Sequence, residues 1–311
     1  MKKTFLTLIM CMIAMTISAH GGNSYEHSDF FKGMKPSDKA AILMVHFGTT
    51  HADTRAKTID ALNARVKKEF PDIDVKEAYT SRIVIKKLEK DNIVKLNPLQ
   101  ALKQLQADGY THILIQPSTI IDGVEMESLN KNVDELKGSF KDIRIGDPLL
   151  YSPEDYEKVI EVLIKDNDKN TAYVWVGHGT YDATTAQYAM LDYMLKDKGY
   201  NNCFVGTVEG YPEFDNVLSL LRSSPFKKVV LVPFMFVAGE HAKNDIAGDW
   251  KNDLEKEGYK VNVLMEGLGQ NPHIQELYIS QLKFITKHRK IGIIEKNNIY
   301  ETTWEKAKHA H

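Results

Sequence analysis

The sequence predicts an α/β protein of two similar lobes facing one cleft, each lobe a parallel sheet covered on both faces by helices. Three observations carry that prediction. Short continuous apolar runs alternate with amphipathic stretches of helix length, the pattern of β-α units whose strands have no solvent side. The second half of the chain repeats the first: Ala41–Thr49 (AILMVHFGT) matches Ala172–Thr180 (AYVWVGHGT), and Ile113–Gly123 matches Val230–Gly239. Finally, 311 residues at 43% hydrophobic and 26% charged suit two globular units rather than a disordered or fibrous chain. With Lys+Arg 40 against Asp+Glu 42, the basic excess of a nucleic-acid binder is missing.

The elements follow in order. Lys2 and Lys3 precede the uncharged stretch Thr4–Ala19, which ends on the small residues Ser18 and Ala19. That run is too short for a membrane span and has no basic flank after it, so residues 1–19 are expected to be a secretory signal peptide. Export to the periplasm follows, with no transmembrane span left after cleavage. Cys11 follows Met10, a poor lipobox residue, which makes a lipid-anchored form the less favoured alternative. Cleavage takes the formal charge from −2 to −4 and leaves Cys203 alone, so no intramolecular disulfide can form. Residues 20–39 read as a polar linker.

The N-terminal lobe is expected over 40–150. Ala40–Phe47 is a buried strand, and Ala52–Phe70 is an amphipathic helix stopped by Pro71. Ile73–Tyr79 is a strand, Arg82–Glu89 and Pro98–Ala107 are helices, and Gly109 leads into the strand His112–Gln116. Glu125–Leu136 is helical and Ile143–Ile145 a short edge strand. The C-terminal lobe, 151–290, repeats the scheme: helix Asp155–Lys165, strand Ala172–Val176, helix Ala183–Lys198, strand Phe204–Val208 and helix Pro212–Leu221. Strand Val229–Phe236, helix His241–Glu257, strand Val261–Leu264 and helix Pro272–His288 complete it, the last helix free to cross back to the first lobe. Residues 291–311 read as a polar tail, in part poorly ordered.

Ligands of such sheets bind beyond the carboxyl ends of the strands. There the second half carries His178, in Gly177-His178-Gly179; Glu209, before Gly210-Tyr211-Pro212; and His241, in Gly239-Glu240-His241. They stand 31 and 32 residues apart, one β-α unit each, which would place all three at one rim. Two imidazoles and a carboxylate suit a borderline divalent cation with positions left open for substrate. For any one of the three, capping a helix or filling a loop stays open as the simpler role. Other candidates are weaker. His46 lies one residue earlier than His178 in the repeat, His51 follows it, and neither is expected to be essential. Phe47-Gly48-Thr49-Thr50 lacks the lysine of a P-loop, and no Gly-x-Ser-x-Gly elbow exists. Cys203 and Met235 read as core residues, and Lys306–His311 as a solvated tail.

With these residues in view, the chain resembles the anaerobic cobalt chelatases, the sirohydrochlorin cobaltochelatases of the class II chelatase superfamily that includes ferrochelatase. The matching pieces run from Phe47-Gly48-Thr49, Ala78-Tyr79-Thr80-Ser81 and Asn97–Leu102 through Gly146–Leu150 to Gly177-His178-Gly179, Val208–Glu213 and Val237–Asp245. The resemblance spans about Ala40 to His288. It implies two four-stranded parallel sheets with a tetrapyrrole in the cleft, metal-binding histidines at His178 and His241, and Glu209 as their acidic partner. It implies no organic cofactor; the divalent metal, Co2+ with Fe2+ or Ni2+ as alternatives, is a substrate inserted without ATP. Two residues depart from the family: Thr119 stands where relatives commonly carry a histidine, and His46 replaces a small residue. An exported chain also departs from a cytoplasmic pathway. The alternatives are therefore an exported haem- or iron-binding protein, an iron chelatase or dechelatase, and a periplasmic metal- or ligand-binding protein. A homo-oligomer is left open.

Overall fold

A computed structural model describes residues 24–165 and 167–308; the expected signal peptide lies outside them. The strands among these residues are β1 (Tyr25–His27), β2 (Ala40–His46), β3 (Asp74–Tyr79), β4 (His112–Pro117), β5 (Asp142–Ile145), β6 (Ala172–Thr180), β7 (Cys203–Gly210), β8 (Lys228–Pro233), β9 (Lys260–Val263) and β10 (His288–Lys290). Two four-stranded parallel sheets form, in the order β3-β2-β4-β5 and β7-β6-β8-β9. The order is the same when counted within each half, as the internal repeat requires. The first strand of each sheet along the chain, β2 or β6, sits inside its sheet, which is why AAILMVH and AYVWV carry no polar alternation.

Helices cover both faces of each sheet. The outer face of the first sheet buries Leu43, Val45, Ile113 and Ile115 against Leu102, Leu105, Leu129 and Val133. The outer face of the second buries Val174, Val176 and Leu231 against Leu221, Ile246 and Trp250. Between the sheets a shared core joins Met44 and Tyr79 of one lobe to Trp175 and Phe234 of the other. Several helices start on the side-chain caps their sequences announce: Asn97 with Gln100 and Ser152 with Asp155 form capping boxes, each followed by proline at the first turn. The helix Pro272–Lys287 does cross back. Tyr278 donates to the carbonyls of Ser118 and Thr119, and Gln281 bonds Gln116 and the Pro148 carbonyl, all in the first half.

The two polar ends have more structure than their composition suggests. β1 pairs antiparallel with β10, and the helix Ile293–Lys308 follows. Phe30, in the expected linker, is buried beneath the guanidinium of Arg144, 5.1 Å from the ring centroid. Arg289 ties the strand pair to the last helix by bonding both Glu26 and Glu295. A three-residue strand leaves no periodicity to read, so long-range pairing decides these segments. Among the described residues, no helix is long and apolar enough to cross a membrane.

Candidate metal site at the interlobe cleft

β6 and β7 run on past the core, to Thr180 and Gly210, and do not end at Val176 and Val208 as expected. Glycine makes the extension fit. Gly179 and Gly210 have φ of +85° and +86°, and a Cβ on either would overlap a carbonyl oxygen of the neighbouring strand, that of Glu209 or of Thr180. His178 is thus carried on a strand end, half-exposed, while His241 opens the π-helical segment Ala242–Trp250 after β8. The two rings meet edge to face with centroids 4.6 Å apart.

Their hydrogen bonds define what they offer. His178 Nδ1 lies 3.1 Å from the Gly179 carbonyl oxygen, and His241 Nδ1 lies 2.7 Å from Asp245 Oδ2. Both partners only accept, so each Nδ1 carries the hydrogen and each Nε2 presents a lone pair. This is the tautomer a metal ligand needs, and a carboxylate behind an imidazole raises its basicity and fixes its orientation. Asp245 has no role in the sequence reading. The signal was there, since aspartate four residues after a histidine at a helix start faces the same side.

Glu209 does not join the imidazole pair. It is in register with Gly179, one residue beyond His178. Among the described residues, no three His, Cys, Asp or Glu side chains converge closely enough to hold an ion. The spacing of 31 and 32 residues therefore delivers all three to one sheet edge but converges only His178 and His241. A one-residue offset is invisible at that scale. Asp245→Asn should keep His241 in place yet weaken Co2+ binding about 10- to 100-fold, the usual scale for losing such a partner. A Co2+ titration without tetrapyrrole measures it; unchanged affinity would remove Asp245 from the site.

The first-half histidines have other duties. His46 is fully buried, stacked 5.8 Å from the Phe236 ring of the second lobe. Asn63 Nδ2 donates to Glu77, so its Oδ1 faces His46 Nε2–H, and His46 Nδ1 accepts from Ser118 Oγ at 2.9 Å. Burial pushes the imidazole down to about 4 from 6.5, outweighing the hydrogen bond to Asn63 and the nearby Glu77 charge, which act the other way. On acidification the unfolded chain therefore takes up a proton first, and the folded state loses stability as pH falls from about 6.5 to 4. The full loss is about 3 kcal/mol, at 1.36 kcal/mol per unit. His46→Gln should flatten that part of the profile of urea midpoint against pH; identical slopes in both proteins would contradict it. Cys203 is buried, with its thiol pushed up by that burial, as a core residue should be.

His51 reaches across the cleft instead. Lys243 Nζ lies 3.2 Å from its Nδ1, and its Nε2 lies 3.2 Å from Glu240 Oε2. Farther along the same edge, Gln187 Oε1 accepts from the Asp122 backbone N–H at 3.2 Å. The lobes are thus bridged at two points. Exposed aromatic residues, Phe47, Tyr181 and Tyr211, follow β2, β6 and β7 at this edge.

Comparison with known proteins accords with this arrangement. SirB from Bacillus subtilis with Fe3+ superposes with a TM-score of 0.56 at 15% identity, covering 79% of this chain and 94% of that one. The structure of CbiX, described as the terminal enzyme for biosynthesis of sirohaem in denitrifying bacteria, gives 0.53 at 17%, covering 78% and 98%. Both establish a shared two-lobed fold. In sequence, the chain is 37% identical over 255 residues to the sirohydrochlorin cobaltochelatase of Salmonella typhimurium, covering 78% of this chain and 95% of the relative. It is 27% identical over 257 residues to sirohydrochlorin cobaltochelatase CbiKC of Nitratidesulfovibrio vulgaris, covering 79% and 90%. The cobalt chelatase (CbiK) profile matches residues 40–287, nearly the whole two-lobed body, and the chain belongs to that family.

Proposed function

We propose that the protein is a sirohydrochlorin cobaltochelatase, inserting Co2+ into the metal-free ring without ATP. The observation that carries this is the His178–His241 pair, two imidazoles at the cleft edge with both Nε2 lone pairs unused. Insertion requires a divalent ion held with open positions and two pyrrole N–H protons removed. The paired Nε2 atoms supply the first, leaving most of the coordination sphere for water and ring nitrogens. As the metal passes to the ring, each freed Nε2 can accept one of the two pyrrole protons. Asp245 stabilises the imidazolium that forms on His241. Glu209, at the same edge but off the pair, adds negative charge that favours the cation. Exposed aromatic surface beside the pair suits a flat macrocycle.

Anaerobic incubation with sirohydrochlorin and Co2+, Fe2+ or Ni2+ in turn, followed by the absorption change of the metallated ring, tests the reading. Co2+-dependent turnover is expected. Its absence alongside tight haem binding would favour an iron-handling relative. We also place the protein outside the cytoplasm, on the strength of Lys2, Lys3 and the apolar run to Ala19. N-terminal sequencing of native protein should find a start near His20; Met1 retained in the cytosol would refute export.

A further inference from the structure

We propose that His27 and His288, opposite each other on the β1–β10 pair, form a second site for a borderline divalent cation, which clasps the two ends of the chain together. The site lies outside residues 40–287, the stretch the family profile matches, and the inference does not depend on the chelatase reading.

Strand pairing brings the two imidazoles together. β1 and β10 run antiparallel with His27 opposite His288. Ser28 N–H donates to the Lys287 carbonyl at 2.8 Å, and Ile291 N–H to the Ser24 carbonyl at 2.9 Å. Hydrogen-bonded and non-hydrogen-bonded pairs alternate in an antiparallel ladder. His27 and His288 therefore form a non-hydrogen-bonded pair, the kind in which facing side chains approach most closely. Their rings stand 5.7 Å apart, centroid to centroid, at 83°. Two imidazoles sharing one ion through metal–nitrogen bonds of about 2.0–2.1 Å have ring centres about 4.5–6 Å apart.

The hydrogen bonds leave nitrogen lone pairs available. His288 Nδ1 lies 3.1 Å from the Phe284 carbonyl oxygen, so it carries the hydrogen and Nε2 presents the lone pair. The Phe284 ring, stacked at 4.1 Å, holds that imidazole in place. His27 is exposed and, among the described residues, makes no hydrogen bond, so its ring can turn a nitrogen toward its neighbour. The flanking charges do not repel a cation. Lys287 is paired with Asp29, Arg289 with Glu26 and Glu295, and Lys290 with Asp147. Among the described residues no cluster of three His, Cys, Asp or Glu side chains could hold an ion, so the remaining positions go to water. Imidazole donors of this kind suit Ni2+, Cu2+, Zn2+ or Co2+. Each ligand comes from one end of the chain, so the ion favours the paired state of two strands only three residues long.

The test adds Ni2+ to the His178→Ala/His241→Ala protein, in which the cleft pair is gone. Chymotrypsin cuts after Tyr25 and Phe30, in the segment that Ser28 and Phe30 tie to Lys287 and Thr286. Cutting requires that segment to detach, so the rate should fall by a factor of 1 + [Ni2+]/Kd, about tenfold at ten times Kd and about 100-fold at a hundred times. Kd is taken from a calorimetric titration of the same protein, and a peptide substrate controls for any effect of Ni2+ on the protease. Adding His27→Gln and His288→Gln should abolish the protection. The ratio of rates with and without Ni2+ is compared within each protein, so a change in the baseline cancels. Cleavage indifferent to Ni2+ in the first protein, or equal protection in the protein lacking His27 and His288, would overturn the clasp.

Discussion

His178→Ala and His241→Ala should each slow Co2+ insertion by about 10²–10⁴-fold, the range for losing a positioned proton acceptor, while the metal-free ring still binds. Each variant removes one of the two imidazoles proposed to hold the metal and accept a proton, whose rings are 4.6 Å apart. On the proposed reading ring affinity comes from other groups, the exposed aromatics Phe47, Tyr181 and Tyr211 among them, so it should survive. Glu209→Gln should be milder, because among the described residues no third carboxylate or imidazole converges with the pair. Turnover beside a ring-binding titration separates the terms. Near-normal turnover in either histidine variant would dismiss the mechanism and favour a binding protein.

Arg144→Ala should destabilise the fold by about 3–5 kcal/mol, the cost of breaking a buried ion pair from one side. The Arg144 side chain is 3% exposed, and its guanidinium bonds Asp142 Oδ2 at 2.6 Å. It also donates to the Ser28, Ile285 and His288 carbonyls at 2.7, 2.9 and 3.2 Å. Ile285 belongs to the last turn of the helix Pro272–Lys287, whose terminal carbonyls lack intrahelical donors. One side chain thus joins β5, the N-terminal segment and the end of the crossing helix. Its loss strands a carboxylate and several acceptors together. Urea unfolding measures the cost, and limited proteolysis should cut first within 24–39. An unchanged midpoint with an intact N-terminal segment would contradict the role.

What the sequence reveals and what it hides divide along physical lines. AAILMVH, HILIQ and AYVWV announce strands because burial on both faces removes polar alternation, and their repetition announces two sheets of one order. The meeting of His178 with His241 was legible because one β-α period returns the chain to the same sheet edge. The strand ends were not legible. Gly177-His178-Gly179 and Glu209-Gly210 look like loop, but glycine is what lets the two backbones continue side by side. Glu209's separation from the pair depends on a single register step, which composition cannot express. Asp245 becomes meaningful only once His241 is known to open a helix. The β1–β10 pair and Arg144 depend on contacts between residues more than a hundred positions apart, and nothing local marks them.

A single-turnover experiment puts the weight on the imidazole pair itself. Protein equilibrated anaerobically with one equivalent of Co2+ is mixed with excess sirohydrochlorin, and the absorption of the metallated ring is followed. Wild type should metallate one ring per chain in a fast phase, and the His178→Ala/His241→Ala double variant should show only the slow background of free Co2+. A fast phase of equal rate and amplitude in the double variant would contradict delivery of the metal through these two histidines.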